Sequence, residues 1–250
     1  MTLNRPRFLC SDFFLDLIYP TRCPACMRVI GWDMQLCGEC ESGLEYIEGV
    51  PWQAIFPEEI NGEAPSFDRA EALFYYSGTA RDAVLSLKNR RGVRFADYAA
   101  KRIVEKLAVD DGDDADIITS VPMHRSKKRK RGYDQAEVFA RALSRETGIE
   151  YVPDLLAHMK NKVAQHDLGM KERFTSADTT YYINSGTSLK GRRVILCDDI
   201  FTTGATANVC SRLLKDMGAE KVTVAAICRT DNRSDKNKSG GDTSAERREG

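Results

Sequence analysis

Residues 194–209 read VILCDDIFTTGATANV. An apolar run ends on two adjacent carboxylates, Asp198 and Asp199. A short turn rich in Thr and Gly follows, and then a helical pattern. The order is strand, loop, helix, and in open α/β sheets ligands bind beyond the carboxyl ends of the strands. The loop Thr202, Thr203, Gly204, Ala205 and Thr206 can turn its backbone N–H groups inward, with Gly204 permitting the tight path. Those donors, the Thr hydroxyls and the helix N-terminus make an anion site suited to a phosphate. The two carboxylates repel phosphate but accept hydrogen bonds from sugar hydroxyls. A phosphate at one end and a diol at the other describe a ribose 5-phosphate. An Asp pair before such a loop also arises as a helix cap and turn, but the apolar strand before it and the helix after it weigh against that alone.

Working outward, the flanking pattern is α/β. RAEALFYYSG reads as a strand, and Ala80, Ala83, Val84 and Leu87 fall at helical spacing. Phe95, Ala99, Ile103 and Leu107 continue a second helix, DDGDDAD is a polar turn, and IITSVP is a short apolar strand. QAEVFARALSRETG places Ala136, Phe139, Ala140 and Leu143 on one helix face and closes at Gly148. RRVILC and KVTVAAIC are near-continuous apolar strands, as expected when both sheet faces are covered. Between them Val209, Leu213 and Met217 mark a helix stopped by Gly218. Strands alternating with helices predict a parallel sheet flanked by helices. Other nucleotide-binding signatures are missing: the chain has no Gly-Lys dipeptide, no GxGxxG after a strand and no GxSxG.

The N-terminal part carries a different signal. Cys23, Cys26, Cys37 and Cys40 form CPAC and CGEC, two CxxC pairs ten residues apart. Each pair sits on a tight turn, so four thiolates converge on a tetrahedral, structural Zn²⁺ site. Two disulfides or a redox pair would need a secretory or thioredoxin-like context, which the sequence lacks. The segment is too short to bury a core, so the metal is expected to supply folding energy. Cys10, Cys197, Cys210 and Cys228 lie in apolar patterns and read as small core residues.

The resulting organisation is an N-terminal helix and zinc ribbon over residues 1–50, a Pro-containing acidic linker over 51–66, an α/β domain over 67–231, and a polar, disordered tail over 232–250. Lys plus Arg and Asp plus Glu each total 37, which argues against a protein that coats nucleic acid by global charge. Asp12 and Asp16 interrupt the first apolar run and no small-residue cleavage site follows. No stretch approaches the roughly 18 apolar residues of a membrane span. The expected location is the cytoplasm.

VILCDDIFTTGAT resembles the phosphoribosyl diphosphate motif of type I phosphoribosyltransferases. The four-Cys ribbon, RKRGYDQA, the Gln-centred AQHDL and this motif, in that order, resemble the ComF family of competence-associated proteins. The resemblance implies that Asp198 and Asp199 are the catalytic pair and hold the ribose 2′ and 3′ hydroxyls. It implies that Thr202 to Thr206 cradle the 5-phosphate, that Mg²⁺ bridges pyrophosphate and ribose oxygens, and that the loop after SVP meets the pyrophosphate. Arg129, Arg131 and Gln135 match the family's RxRG(F/Y)xQ pattern, so the resemblance implies them as further phosphoribosyl diphosphate contacts, ahead of Lys88.

That loop contains RSKKRKR, residues 125–131, with six cations in seven residues. Three readings compete: a solvated charged loop, a contact to nucleic-acid phosphates, or a cationic clamp on departing pyrophosphate. Lys127, Lys128 and Lys130 read as surface charge. The chain departs from the family at HMKNKVAQ, where His158, Lys160 and Lys162 replace an Arg- and Thr-containing segment, and at Asp134, where Asn is common. The three histidines do not form metal-ligand spacing, and His124 lies beside the basic loop. The acceptor is not identifiable, although residues 150–175 are where a hood would lie. Two functions follow. One is transfer of phosphoribose to an unknown acceptor, linked by the resemblance to DNA uptake. The other is a noncatalytic adaptor that docks a competence helicase through the ribbon and touches single-stranded DNA.

Overall fold

A computed structural model describes residues 20–88, 92–108, 115–158, 181–184 and 188–230. Expectations for the N-terminal helix, Cys10, AQHDL, Lys160, Lys162 and the tail lie outside these residues. After a four-cysteine hairpin come α1 (Gly38–Ser42) and α2 (Trp52–Ile55). The larger unit runs β1 (Arg69–Tyr75), α3 (Gly78–Leu87), α4 (Val93–Ala108), β2 (Ile117–Ser120), α5 (Arg125–Arg131) and α6 (Gln135–Thr147). It continues through β3 (Glu150–Tyr151), β4 (Leu156–His158), β5 (Tyr181–Ile183), β6 (Arg193–Phe201), α7 (Ala205–Asp216) and β7 (Lys221–Arg229).

Five strands form one sheet in the order β1-β7-β6-β2-β3, and every adjacent pair is parallel. The central strands β6 and β7 carry the two apolar runs, and Val194 to Cys197 and Val222 to Cys228 are buried. One face is covered by α3, α4 and α6 through Phe95, Ile103, Phe139 and Leu143, and the other by α7 through Cys210, Leu213 and Leu214. A fully buried side chain of this size contributes about 1.5–3 kcal/mol relative to exposure. The helical positions read from the sequence, Ala80, Ala83, Val84, Leu87, Phe95, Ala99, Ile103 and Leu107, are all buried. Cys197, Cys210 and Cys228 are core residues. Among the described residues no helix is long and apolar enough to cross a membrane.

The cysteine hairpin packs on the same layer as α3 and α4, with Cys23, Leu36 and Leu44 in one apolar cluster with Phe74 and Ala80. Arg94 on α4 donates to the carbonyls of Trp32 (2.8 Å) and Met34 (3.1 Å). Tyr98 donates to Glu41 (3.0 Å), and its hydroxyl also meets that of Tyr46. The two units are therefore joined by buried contacts and polar ties.

Two regions differ from the sequence reading. The basic run expected as a loop is the helix α5, because Lys and Arg are good helix formers and both ends are capped. His124 Nδ1 accepts from the Ser126 N–H (3.1 Å), and Gly132 turns left-handed at φ +85°. Residues 51–66 carry the one-turn helix α2 and bury Ile55, Phe56 and Ile60, because the apolar residues between the prolines find the open face beside Phe201. Beyond β3, Leu156–His158 and Tyr181–Ile183 form a separate antiparallel pair whose short strands carry no strong periodicity.

Candidate functional site

The two CxxC turns bring their thiols together as the spacing requires. In the first, Met27 adopts φ +65° and its N–H donates to the Cys23 carbonyl (2.9 Å), while Cys23 N–H donates to Arg28 O (2.8 Å). In the second, Cys37 precedes α1 and its carbonyl accepts from Glu41 N–H (2.9 Å). The Sγ atoms of Cys23, Cys26, Cys37 and Cys40 all lie within 4.8 Å of one another, and those of Cys26 and Cys37 are 3.6 Å apart. A tetrahedral zinc with Zn–S bonds of about 2.3 Å separates its sulfurs by about 3.8 Å, so the cluster fits Zn²⁺ as a structural ribbon. Burial opposes ionisation of Cys23, but N–H groups of Cys26, Cys37 and Ala25 outweigh it and bring the thiol down to about 7. Burial pushes Cys40 up.

The second site lies at the carboxyl end of β6. Pairing of β6 to β7 persists through Phe201 and sets Asp198 opposite Ala226, whereas pairing to β2 ends at Cys197, so Asp198 and Asp199 lie just past the end of β2. Asp199 N–H donates to Asp198 Oδ1 (2.9 Å), and Ile200 N–H donates to Asp199 Oδ1 (2.9 Å). Burial at the strand end, and then the neighbouring Asp199 carboxylate, raise Asp198 well above the usual carboxylate range. Such a pair is suited to a partner that supplies hydroxyl protons or positive charge.

The chain then turns through exposed Thr202 and Thr203 to Gly204, buried at φ +80° as the N-cap of α7. A Cβ at Gly204 would lie 2.5 Å from Phe201 Cζ, so this position needs glycine for both backbone conformation and space. Gly204 supplies no side-chain cap, and Thr203 Oγ1 accepts from Ala205 N–H at 3.4 Å. The first turn of a three-turn helix thus opens beside the loop, the arrangement that favours an anion. Ala205 and Thr206 are half-buried there.

Across the rim, the basic helix sorts its residues. Arg125, Lys127, Arg129 and Lys130 are exposed. Lys128 turns inward to Glu137 (2.7 Å), and Arg131 Nη1 donates to Gln135 Oε1 (3.3 Å). Gln135 is only 1% exposed, and its buried Nε2 has no partner among the described residues. Arg131 and Gln135 are therefore brought together, while Arg129 projects outward and Lys88 is half-buried at the end of α3. The rings of His124, His158 and Tyr181 form an edge-on row, with centroids 4.7 and 5.0 Å apart. Tyr181 in turn interacts with the Thr206 hydroxyl, so the row links the start of α5 to the loop. A cavity of about 290 Å³ adjoins the row, lined in part by Ser120, Met123, Lys128, Tyr151 and His158.

Asp134 has a role that sequence reasoning missed. Its Oδ1 caps α6 through Ala136 N–H (3.0 Å) and Glu137 N–H (3.5 Å), while Oδ2 accepts from Met123 N–H (2.8 Å). One carboxylate thereby closes the segment that carries α5. Burial raises its pKa, partly offset by those N–H groups. The Asp-x-x-Glu spacing of Asp134 and Glu137 was a legible capping signal. The contribution of Tyr181 and His158 had no such local sign.

These features define a class. The chain belongs to the phosphoribosyl transferase domain family, whose model matches residues 70–247, and residues 14–51 match the double zinc ribbon domain. Among its relatives is Competence protein F of Haemophilus influenzae, 27% identical over 83% of this chain and 90% of that protein. Competence protein ComFC of Streptococcus pneumoniae is 31% identical over 44% of this chain and 46% of that protein. The ComF resemblance is thus borne out. Among solved structures, adenine phosphoribosyltransferase from Saccharomyces cerevisiae matches at 18% identity over 61% of this chain and 76% of that one, with a TM-score of 0.40.

Proposed function

We propose that this protein binds phosphoribosyl diphosphate with Mg²⁺ and transfers phosphoribose to an acceptor, in the cytoplasm, as part of DNA uptake. The observation that carries the reading is the continuity of one structural unit: two carboxylates at the end of β6, a tight Thr-rich turn, and the open N-terminus of α7. Asp198 and Asp199 hold the ribose 2′ and 3′ hydroxyls. The N–H groups and hydroxyls of Thr202 to Thr206 hold the 5-phosphate. Mg²⁺, a hard cation that favours phosphate oxygens and water, would be brought in with the pyrophosphate and would neutralise its charge. The bond from the anomeric carbon to pyrophosphate breaks, a bond to the acceptor nucleophile forms, and the acceptor's proton is released. Most of the rate enhancement comes from positioning and charge stabilisation. Arg131, steadied by Gln135, and the outward Arg129 supply positive charge toward the leaving group. The competence link comes from the names of the relatives.

The test is calorimetric titration of zinc-loaded protein with phosphoribosyl diphosphate and Mg²⁺. Saturable binding is expected, and it is lost in the Asp198→Asn/Asp199→Asn double variant. Binding that survives in a folded double variant would remove these residues from the site.

A second reading is favoured by the outward face of α5, where Arg125, Lys127, Arg129 and Lys130 stand exposed. In it the protein is a noncatalytic adaptor: α5 contacts single-stranded DNA phosphates and the ribbon docks a competence helicase. Absence of any sugar-phosphate binding, together with steeply salt-dependent DNA binding, would select it.

A further inference from the structure

The connector that joins the zinc ribbon to the sheet lies directly behind the Thr-rich loop. We propose that Phe56, Ile60 and Asn208 are positioning residues for that loop, so that its anion-binding geometry is set by the connector as well as by β6 and α7. The functional consequence rests on the phosphoribosyl reading above.

Phe201 is the last residue of β6 and leads straight into Thr202. The ring of Phe56 meets it edge-on, with centroids 4.5 Å apart and an interplanar angle of 90°. Both residues are at most 4% exposed. Ile60, equally buried, points its Cδ1 to within 3.0 Å of where a Cβ of Gly204 would stand. The loop is therefore backed by two apolar side chains from a segment distant in sequence. A polar tie completes the arrangement. Asn208 is 2% exposed; its backbone N–H donates to the Gly204 carbonyl (2.8 Å), and its side-chain Oδ1 accepts from Ser66 N–H (2.6 Å). One residue thus fastens both the turn and the connector.

The turn itself is short of internal constraints. Gly204 provides no side chain, and among the described residues the one side-chain hydrogen bond internal to the turn is the long one from Ala205 N–H to Thr203 Oγ1 at 3.4 Å. A loop that must present several N–H groups to one phosphate needs its backbone fixed in advance, since displacements on the scale of an ångström are costly to a preorganised site. The backing must be apolar and well packed, because a void behind the turn would let it relax away from the anion. Phe56 and Ile60 meet that need, packed on Phe201 and beside Gly204.

The experiment compares Ile60→Ala and the milder Ile60→Val with Ile103→Ala. Ile103 is a core residue on the opposite face of the sheet, at 0% exposure, and controls for general destabilisation. Affinity for phosphoribosyl diphosphate with Mg²⁺ is measured by calorimetry. Amide hydrogen exchange of residues 202–208 is measured without ligand. Ile60→Ala is expected to weaken binding about ten- to hundredfold and to speed exchange across 202–208, with Ile60→Val intermediate. Ile103→Ala is expected to lower the thermal midpoint while leaving both readouts near wild type. Equal effects from the Ile60 and Ile103 variants, or none from Ile60→Ala, would overturn the proposal. If wild-type protein binds no phosphoribosyl diphosphate, the transferase reading fails, and the ligand-free exchange comparison alone decides whether the connector positions the loop.

Discussion

Replacing Gly204 with alanine isolates two physical demands at one position. The first is conformational: φ is +80°, and an L-residue held in the left-handed region costs about 1–2 kcal/mol. The second is steric: the new Cβ would stand 2.5 Å from Phe201 Cζ and 2.9 Å from Cε1, with Ile60 Cδ1 at 3.0 Å. Ile60 can swing its terminal methyl, but the Phe201 ring is wedged between Phe56 at 4.5 Å and Phe67 at 6.0 Å and cannot turn away cheaply. Overpacking of this kind costs about 1–3 kcal/mol. The sum is about 2–5 kcal/mol, a large part of the roughly 5–15 kcal/mol that stabilises a typical domain. Gly148→Ala is the internal comparison, because its φ is +75° but nothing lies within 4 Å of the added methyl. It should show the conformational cost alone. Urea unfolding of zinc-loaded protein, followed by circular dichroism with unchanged slope, measures both. If Gly204→Ala is no more destabilising than Gly148→Ala, the tight packing of Phe201 against the turn is refuted.

Other outcomes follow from the same contacts. Because burial and Asp199 raise the folded-state pKa of Asp198 above its unfolded value of about 3.9, its contribution to stability is fully present below that pH and is lost as pH rises through the folded pKa. The thermal midpoint of ligand-free wild type should thus fall relative to Asp198→Asn across that window, and parallel profiles would contradict it. Cys40→Ser should abolish zinc retention after dialysis, measured by metal analysis, and destabilise the ribbon; a variant that keeps its full zinc content would count against the four-sulfur site. Lys128 is tied to Glu137, so Lys128→Ala should cost up to about 1 kcal/mol while leaving any single-stranded DNA salt slope unchanged. Lys127→Ala should lower that slope by about 0.7 per lost contact, and the reverse pattern would show that the two lysines had been assigned to the wrong sides of α5.

The sequence by itself determined those features whose physical cause is contiguous. The CxxC pairs converge because each lies on one tight turn. VILCDDIFTTGAT reads as strand, carboxylate pair, phosphate-type turn and helix because every part of that unit is made by neighbours in the chain. The apolar runs of β6 and β7 announced strands covered on both faces, and the spacing of Phe95, Ala99, Ile103 and Leu107 announced α4. Tertiary structure alone decided what depends on a distant partner. Residues 51–66 are a packed connector because Phe56 and Ile60 find an apolar surface that β6 and α7 create only after they have come together. The row of His124, His158 and Tyr181 joins residues far apart in the chain. Burial against a remote surface leaves no period in the local sequence, and a hydrogen bond between distant segments leaves no motif in either.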